Sequence, residues 1–141
     1  MYWGGDWLWG LPVIVLTITL HICVFVFVER MLARSLKTRE RHAAYRIASI
    51  TLVALIAIAL HAFEALIWAV LFVFVKALPD PRDAVLYSLS SITAFGHAPL
   101  FLDKRWQLLG AMEAMNGVIL FGLTTAFLFA AVQLARPDRN D

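Results

Sequence analysis

Charged residues are scarce in this 141-residue chain, because Asp, Glu, Lys and Arg together make up only 16% of it. A soluble domain carries about 25% charged residues and roughly 45 to 50% apolar ones, whereas 62% of this chain is hydrophobic. A chain of this size cannot hide that much apolar surface in a single core. The shortage of charge, together with 13% aromatic residues, therefore excludes a soluble globular domain and an intrinsically disordered chain. A lipid bilayer is the solvent that suits this composition.

Cysteine and catalytic motifs are also nearly missing. The single cysteine, Cys23, lies inside an apolar run, so neither an intrachain disulfide nor a thiol-rich metal site can form. The sequence has no phosphate-binding glycine loop, no His/Cys metal cluster and no nucleophile elbow. We therefore predict neither an enzyme nor a bound cofactor. The formal net charge of +2 does not indicate a nucleic-acid partner, because the basic residues lie mostly between apolar runs.

Three apolar runs are long enough to cross a membrane. The first, residues 11–28, contains no charged residue and follows three tryptophans that suit a membrane interface. Since the residues before it carry only Asp6 as a charged group, we expect an uncleaved anchor rather than a signal peptide. The predicted organisation begins with a peripheral transmembrane helix in 1–28 and a basic linker over 29–46, which we expect to continue as helix with a face toward lipid headgroups. A membrane module follows over 47–134, with outer and inner helices at 47–77 and 106–134, and then a tail over 135–141.

The basic residues are divided unevenly between the two sides of the predicted membrane. Eight of them lie in the linker 29–46 and the tail 135–141, and four lie between the second and third spans. By the positive-inside rule the linker and the C-terminus face the cytoplasm, which places the N-terminus outside.

The segment between the second and third spans is neither a simple loop nor a full span. Asp80 suits a helix N-cap and Pro81 suits the first helical position, which predicts a helix over 81–93 that crosses only half a membrane. The following residues, 94–99, contain Gly96 and Pro99 and should return extended to the same side. Irregular backbone at membrane depth is tolerated only where protein buries it or water lines it. A re-entrant pore loop satisfies both conditions.

Such a loop favours cations. A half-helix whose carboxyl end points at the membrane centre presents a partial negative charge and free carbonyl groups. One loop per chain cannot enclose a pathway, so a cyclic oligomer is predicted.

The same segment resembles the pore helix and filter of small bacterial potassium channels. Residues 84–97 read A-V-L-Y-S-L-S-S-I-T-A-F-G-H, where that family reads A-L-Y-F-S-L-V-T-x-T-T-x-G-Y-G-D. Residues 105–126 are similar to the family's inner helix, and the resemblance covers about 61–133. It implies a two-helix pore module with a re-entrant pore helix and a filter loop, assembled as a homotetramer in the inner (plasma) membrane of a cell. The first span and its basic linker lie outside the resemblance, and with that span the expected fold is an all-α membrane protein with three transmembrane helices.

The resemblance and the helical spacing assign three groups of candidate site residues. The filter is expected at Thr93, Ala94, Phe95, Gly96, His97 and Ala98, where oxygen atoms of the first four would bind a monovalent cation, potassium or sodium. A cavity or gate is expected along Asn116, Leu120, Thr124 and Phe127, and the alternative for this stripe is contact with lipid or another helix. Support of the pore helix is expected from His61, Glu64 and Glu113.

The filter departs from the family pattern. Aligned on Gly96, the family's T-V-G-Y-G becomes A-F-G-H-A, and the aspartate that follows becomes Pro99. One of the five filter positions is kept. The sequence therefore predicts a tetrameric cation channel with weak potassium selectivity. The alternative is a non-conducting, channel-like structural or regulatory subunit, which would co-assemble with other pore subunits.

Overall fold

The computed structural model of the chain describes residues 4–38, 43–93, 95–96 and 100–136. These residues form four helices in chain order, α1 (Gly4–Thr38), α2 (Ala43–Phe74), α3 (Pro81–Ile92) and α4 (Gln107–Leu134), and no strand occurs among them. Helices α1, α2 and α4 are long and apolar enough to span a membrane. The predicted all-helical organisation with three candidate spans is confirmed, and it is the organisation of a multi-pass membrane protein.

The basic linker predicted over 29–46 is largely helical. Helix α1 continues to Thr38 and α2 begins at Ala43, so the first two spans extend as helices into the basic segment. The outer helix expected over 47–77 accordingly begins four residues earlier and ends three residues earlier, at Phe74.

Helix α2 ends in a Schellman motif. The Ala77 N–H donates to the Phe72 carbonyl at 2.9 Å, and the Lys76 N–H donates to the Val73 carbonyl at 3.1 Å. Lys76 takes the left-handed position of this motif, with φ 59°, which glycine usually occupies. These bonds satisfy carbonyl groups at the end of α2 and turn the chain toward α3.

Helix α3 begins where the sequence predicts. The Asp80 carboxylate accepts hydrogen bonds from the backbone N–H groups of Arg82 at 2.9 Å and Asp83 at 3.0 Å. Pro81 occupies the first helical position, where its missing N–H is no loss. The helix ends at Ile92, one residue before the predicted bound, with Thr93 as its C-cap.

The three long helices pack against one another, and α3 lies between α2 and α4. Side chains from α2, α3 and α4 form the centre of the core, and its largest fully buried apolar side chains are Trp68, Phe72, Ile92, Leu109 and Leu120. Helix α1, expected at the periphery of the module, contacts both α2 and α4. Phe25 of α1 stacks on Phe127 of α4 with 4.2 Å between their ring centroids. Within one chain α1 is therefore part of the bundle.

Candidate functional site

The carboxyl end of α3 lies beside the middle of α4. A Cβ atom on Gly117 would clash with the backbone of Ile92, the last residue of α3. Gly117 comes ten residues after Gln107, the first residue of α4, so this contact lies about 15 Å along α4. Glycine is required at position 117 because the neighbouring atoms belong to the backbone of Ile92, which cannot rotate away as a side chain can.

The chain reverses direction directly after α3. Gly96 has a left-handed φ of 68°, and its N–H donates to the Ser90 carbonyl at 3.3 Å. Farther on, a Cβ atom on Gly110 would lie 2.9 Å from Cδ1 of Leu102. Leu102 is therefore level with the first turn of α4, whereas the end of α3 lies beside Gly117, seven residues farther along α4.

The predicted filter is only partly described. Thr93, Phe95 and Gly96 are exposed at the end of α3, and the Thr93 hydroxyl donates to the Leu89 carbonyl at 2.6 Å. This donation leaves lone pairs on the hydroxyl oxygen for another partner. The other predicted filter residues, Ala94, His97 and Ala98, and Pro99 after them, lie outside the described residues.

A groove of about 340 Å³ lies beside the end of α3. Tyr87, Ser90 and Ser91 of α3 line one wall, and Gly110 of α4 lines another. Phe101 also borders the groove, with 89% of its surface exposed. The groove therefore joins hydroxyl groups, a non-helical segment and a large uncovered aromatic ring.

A second group of polar side chains is buried between the three long helices. Glu64 of α2 lies between two histidines, with Oε1 at 2.7 Å from Nδ1 of His21 and Oε2 at 3.4 Å from Nδ1 of His61. The Thr124 hydroxyl on α4 lies 3.1 Å from Nε2 of His21 and 2.9 Å from Nε2 of His61. These four side chains, which we term the His–Glu network, are all buried and connect α1, α2 and α4.

One further buried hydrogen bond joins α1 to α4. The Asn116 Nδ2 group donates to the Thr17 hydroxyl at 2.8 Å, and that hydroxyl donates to backbone carbonyls of α1. Thr17 and His21 were not among the sequence-predicted site residues. The sequence did contain a signal for them. Two polar side chains four residues apart share one face of an otherwise apolar helix, and in a membrane both need hydrogen-bond partners.

The stripe predicted to line a cavity or gate faces the interior of the chain. Asn116 and Thr124 bond to α1, Leu120 is fully buried, and Phe127 stacks on Phe25. The structure thus places these residues at a contact between helices, the alternative weighed for this stripe, and not on an open surface. The physical reason is that α1 offers hydroxyl and imidazole groups to this face of α4.

The three residues predicted to support α3 have different surroundings. Glu64 bonds to His21 of α1 and His61 bonds to Thr124 of α4, so both residues make interhelical hydrogen bonds, and neither bond is to α3. Glu113 is fully buried and lies near Ser88 and Ser91 of α3. Neither carboxylate oxygen of Glu113 has a hydrogen-bond partner among the residues that the structure describes.

Over the described ranges, no three His, Cys, Asp or Glu side chains are grouped in a way that could hold a metal ion. Any cation at the end of α3 would therefore depend on hydroxyl and carbonyl oxygens. Comparison with models of protein families, with curated proteins and with solved structures finds no match for this chain.

Proposed function

We propose that this chain is a subunit of a tetrameric cation channel of potassium-channel-like architecture. The observation that carries the proposal is the end of α3 beside Gly117, about 15 Å along α4. That depth is half of the roughly 30 Å hydrocarbon core. A 12-residue helix that stops there, and residues 100–106 that lead into the first turn of α4 without forming a helix, support a re-entrant pore loop.

The end of α3 suits a cation. The carboxyl end of a helix carries a partial negative charge of about half an elementary charge. The Thr93 hydroxyl and the backbone carbonyls that follow are oxygen ligands of the kind that replace the hydration shell of potassium or sodium. No cofactor and no catalytic step enter this proposal.

The surface beside α3 favours assembly with further copies. Non-helical backbone at membrane depth must be covered by protein or lined by water. In this segment Phe95 has 65% of its surface exposed and Phe101 has 89%. Neighbouring copies around a central axis would cover this surface, and the resemblance to potassium channels favours four of them.

The pathway is proposed to run along the uncovered face of α4. Because α1 covers the face that carries Asn116, the opposite face remains for a neighbour or a cavity. Exposed residues recur on that face at helical spacing, namely Ala111, Met115, Val118, Gly122, Thr125 and Phe129. In the proposed orientation the basic segment 29–46 and the C-terminus are cytoplasmic and the membrane is the inner (plasma) membrane of the cell.

A second candidate function is a non-conducting subunit with the same scaffold. Three sequence positions favour it, since Ala94, Ala98 and Pro99 stand where channels of intact filter have Thr, Gly and Asp. Ala94 offers no hydroxyl ligand. Ala98 stands where a glycine is usual, and left-handed backbone costs a residue with a side chain about 1 to 2 kcal/mol. This subunit would assemble with channel subunits that carry an intact filter.

Ion flux into liposomes that contain the purified protein tests the first function, with potassium and sodium gradients applied in turn. We expect cation flux that is lowered at least several-fold by Thr93→Val, because the substitution removes one hydroxyl ligand per subunit and keeps the side-chain shape. Thr51→Val is the matched control, since Thr51 is exposed on α2 away from α3 and should leave the flux unchanged. Equal flux through both variants would contradict the proposed role of the α3 end.

The two functions are separated by the combined change Ala94→Thr, Ala98→Gly and Pro99→Asp. A wild-type protein that is silent and a triple variant that conducts would support the non-conducting subunit. Flux through the wild-type protein supports the channel. Silence of both proteins, together with a monomeric mass in detergent, would contradict both.

A further inference from the structure

A second, mostly apolar groove separates α1 from α2 at the end of the bundle that carries their connection. Its volume is about 440 Å³. Six of the residues that line it are Phe27, Met31, Leu32, Ser49, Leu52 and Ile56. We term it the α1–α2 groove. A hydrogen bond between the hydroxyl groups of Ser35 and Tyr45 lies at its end nearest the connection.

The α1–α2 groove has the length and access that a lipid acyl chain needs. From Tyr45 to Ile56 it follows eleven residues of α2, or about 16 Å, toward the middle of the membrane span. Phe27, Met31 and Leu52 are each at least half exposed, so the groove is open on its side. A phospholipid can therefore enter from the bilayer without passing through the protein.

Positive charge flanks the polar end of this groove. Arg30 directly precedes Met31 in α1 and is exposed, and Arg46 directly follows Tyr45 in α2 and is half-buried. Arg34 lies one turn after Arg30 in α1 and is the third arginine at this end of the groove. Over 29–46 the sequence has six basic residues and two acidic ones, Glu29 and Glu40. The local charge at this end is therefore net positive.

We propose that the α1–α2 groove binds one anionic membrane phospholipid, with an acyl chain in the groove and the phosphate at Arg30 and Arg46. A neutral lipid would fill the groove equally well and gain little from the arginines. An anionic headgroup gains from each cation near the membrane surface, and basic pockets between membrane helices suit such headgroups. The site is separate from the end of α3, so it is independent of the proposed channel.

Native mass spectrometry of the purified full chain in detergent tests the site, with phosphatidylglycerol or phosphatidylcholine added in increasing amounts. We expect one tightly bound phosphatidylglycerol per chain and at least tenfold weaker binding of phosphatidylcholine. Inorganic phosphate in excess should not displace the lipid, because the acyl chain contributes to binding. Displacement by phosphate would overturn the lipid assignment and indicate a simple anion site.

Charge variants test the polar end. Arg30→Gln with Arg46→Gln should weaken phosphatidylglycerol binding about 25-fold, or roughly fivefold per arginine. Arg82→Gln with Lys104→Gln is the matched control, since it removes two exposed cations that lie outside the α1–α2 groove. Equal weakening by both pairs would show a general charge effect and overturn the site.

A groove-filling variant tests the apolar part without altering charge. Ala48 lines the groove, so Ala48→Phe should weaken lipid binding, whereas Ala62→Phe, on an exposed part of α2 outside the groove, should not. Far-UV circular dichroism and a single elution peak verify that each variant is folded. Unchanged binding by a folded Ala48→Phe variant would overturn the proposal.

Discussion

The contact between Gly117 and the end of α3 can be tested by adding one methyl group. The Cβ atom of Gly117→Ala would lie 2.8 Å from both C and Cα of Ile92 and would clash with the carbonyl oxygen of the same residue. Backbone atoms cannot move aside as a flexible side chain does, so the end of α3 must shift or the variant must absorb the strain. Overpacking of this kind costs about 1 to 3 kcal/mol.

A second glycine of α4 provides the reference for this variant. Alanine is preferred to glycine inside a helix by about 1 kcal/mol, and that gain opposes the cost of the clash. At Gly122 a Cβ atom would meet no other atom within 4 Å, so Gly122→Ala reports the helix preference alone. The difference in the free energy of unfolding between the two variants therefore isolates the clash, and we expect Gly117→Ala to be less stable by about 1 to 3 kcal/mol.

The assay is reversible unfolding in detergent micelles, followed by far-UV circular dichroism. Gly117→Ala is then placed in liposomes, where a displaced α3 should lower cation flux relative to the wild type and to the Thr51→Val control. Equal stabilities within about 0.5 kcal/mol would refute the close approach of α3 to α4. The depth assigned to the end of α3 would then lose its support.

Three further predictions concern other parts of the chain. Lys76→Gly should raise the free energy of unfolding by about 1 kcal/mol, because glycine takes the left-handed position without a steric cost. Thermal unfolding measures this change, and a loss of stability would contradict the Schellman motif at the end of α2. A double-mutant cycle of Thr17→Val and Asn116→Leu should give a coupling energy of about 0.6 kcal/mol, the average for hydrogen bonds between membrane helices. Zero coupling would show that the hydrogen bond between Asn116 and Thr17 is not formed. The resemblance aligns His97 with the filter tyrosine, where a ring of protonated imidazoles would repel cations and external acid would reduce flux. His97→Gln should then remove that dependence. Currents that respond equally to acid in both proteins would favour the alternative, in which His97 packs behind the filter in a mechanical role.

The helices were predictable because their signals are local. Asp80 accepts hydrogen bonds from N–H groups of the first turn of α3, and Pro81 has no N–H group that needs a partner. Both signals lie within one helical turn, and the structure has the predicted cap. Three apolar runs of sufficient length predicted three spans, since a helix of about 20 apolar residues crosses the hydrocarbon core. A helical continuation through the basic segment was also expected, and the structure has helix as far as Thr38 in α1 and from Ala43 in α2.

The orientation of the helix faces was not predictable in the same way. The stripe of Asn116 and Thr124 was expected at a cavity, yet both side chains bond to α1. Helical spacing tells which residues share a face, but in a membrane protein both the lipid-facing and the buried sides can be apolar. Only the partner across the interface, here Thr17 and His21, decides which face is covered.

By itself, the sequence determined that this chain belongs in a membrane, that it has three candidate spans, and that a short capped helix separates the second from the third. These properties depend on local composition and on hydrogen bonds within one helical turn. The tertiary structure decided that α1 packs on α4, that the His–Glu network joins three helices, and that α3 ends level with Gly117. Those contacts join residues up to 103 positions apart, and their geometry follows from the packing of whole helices.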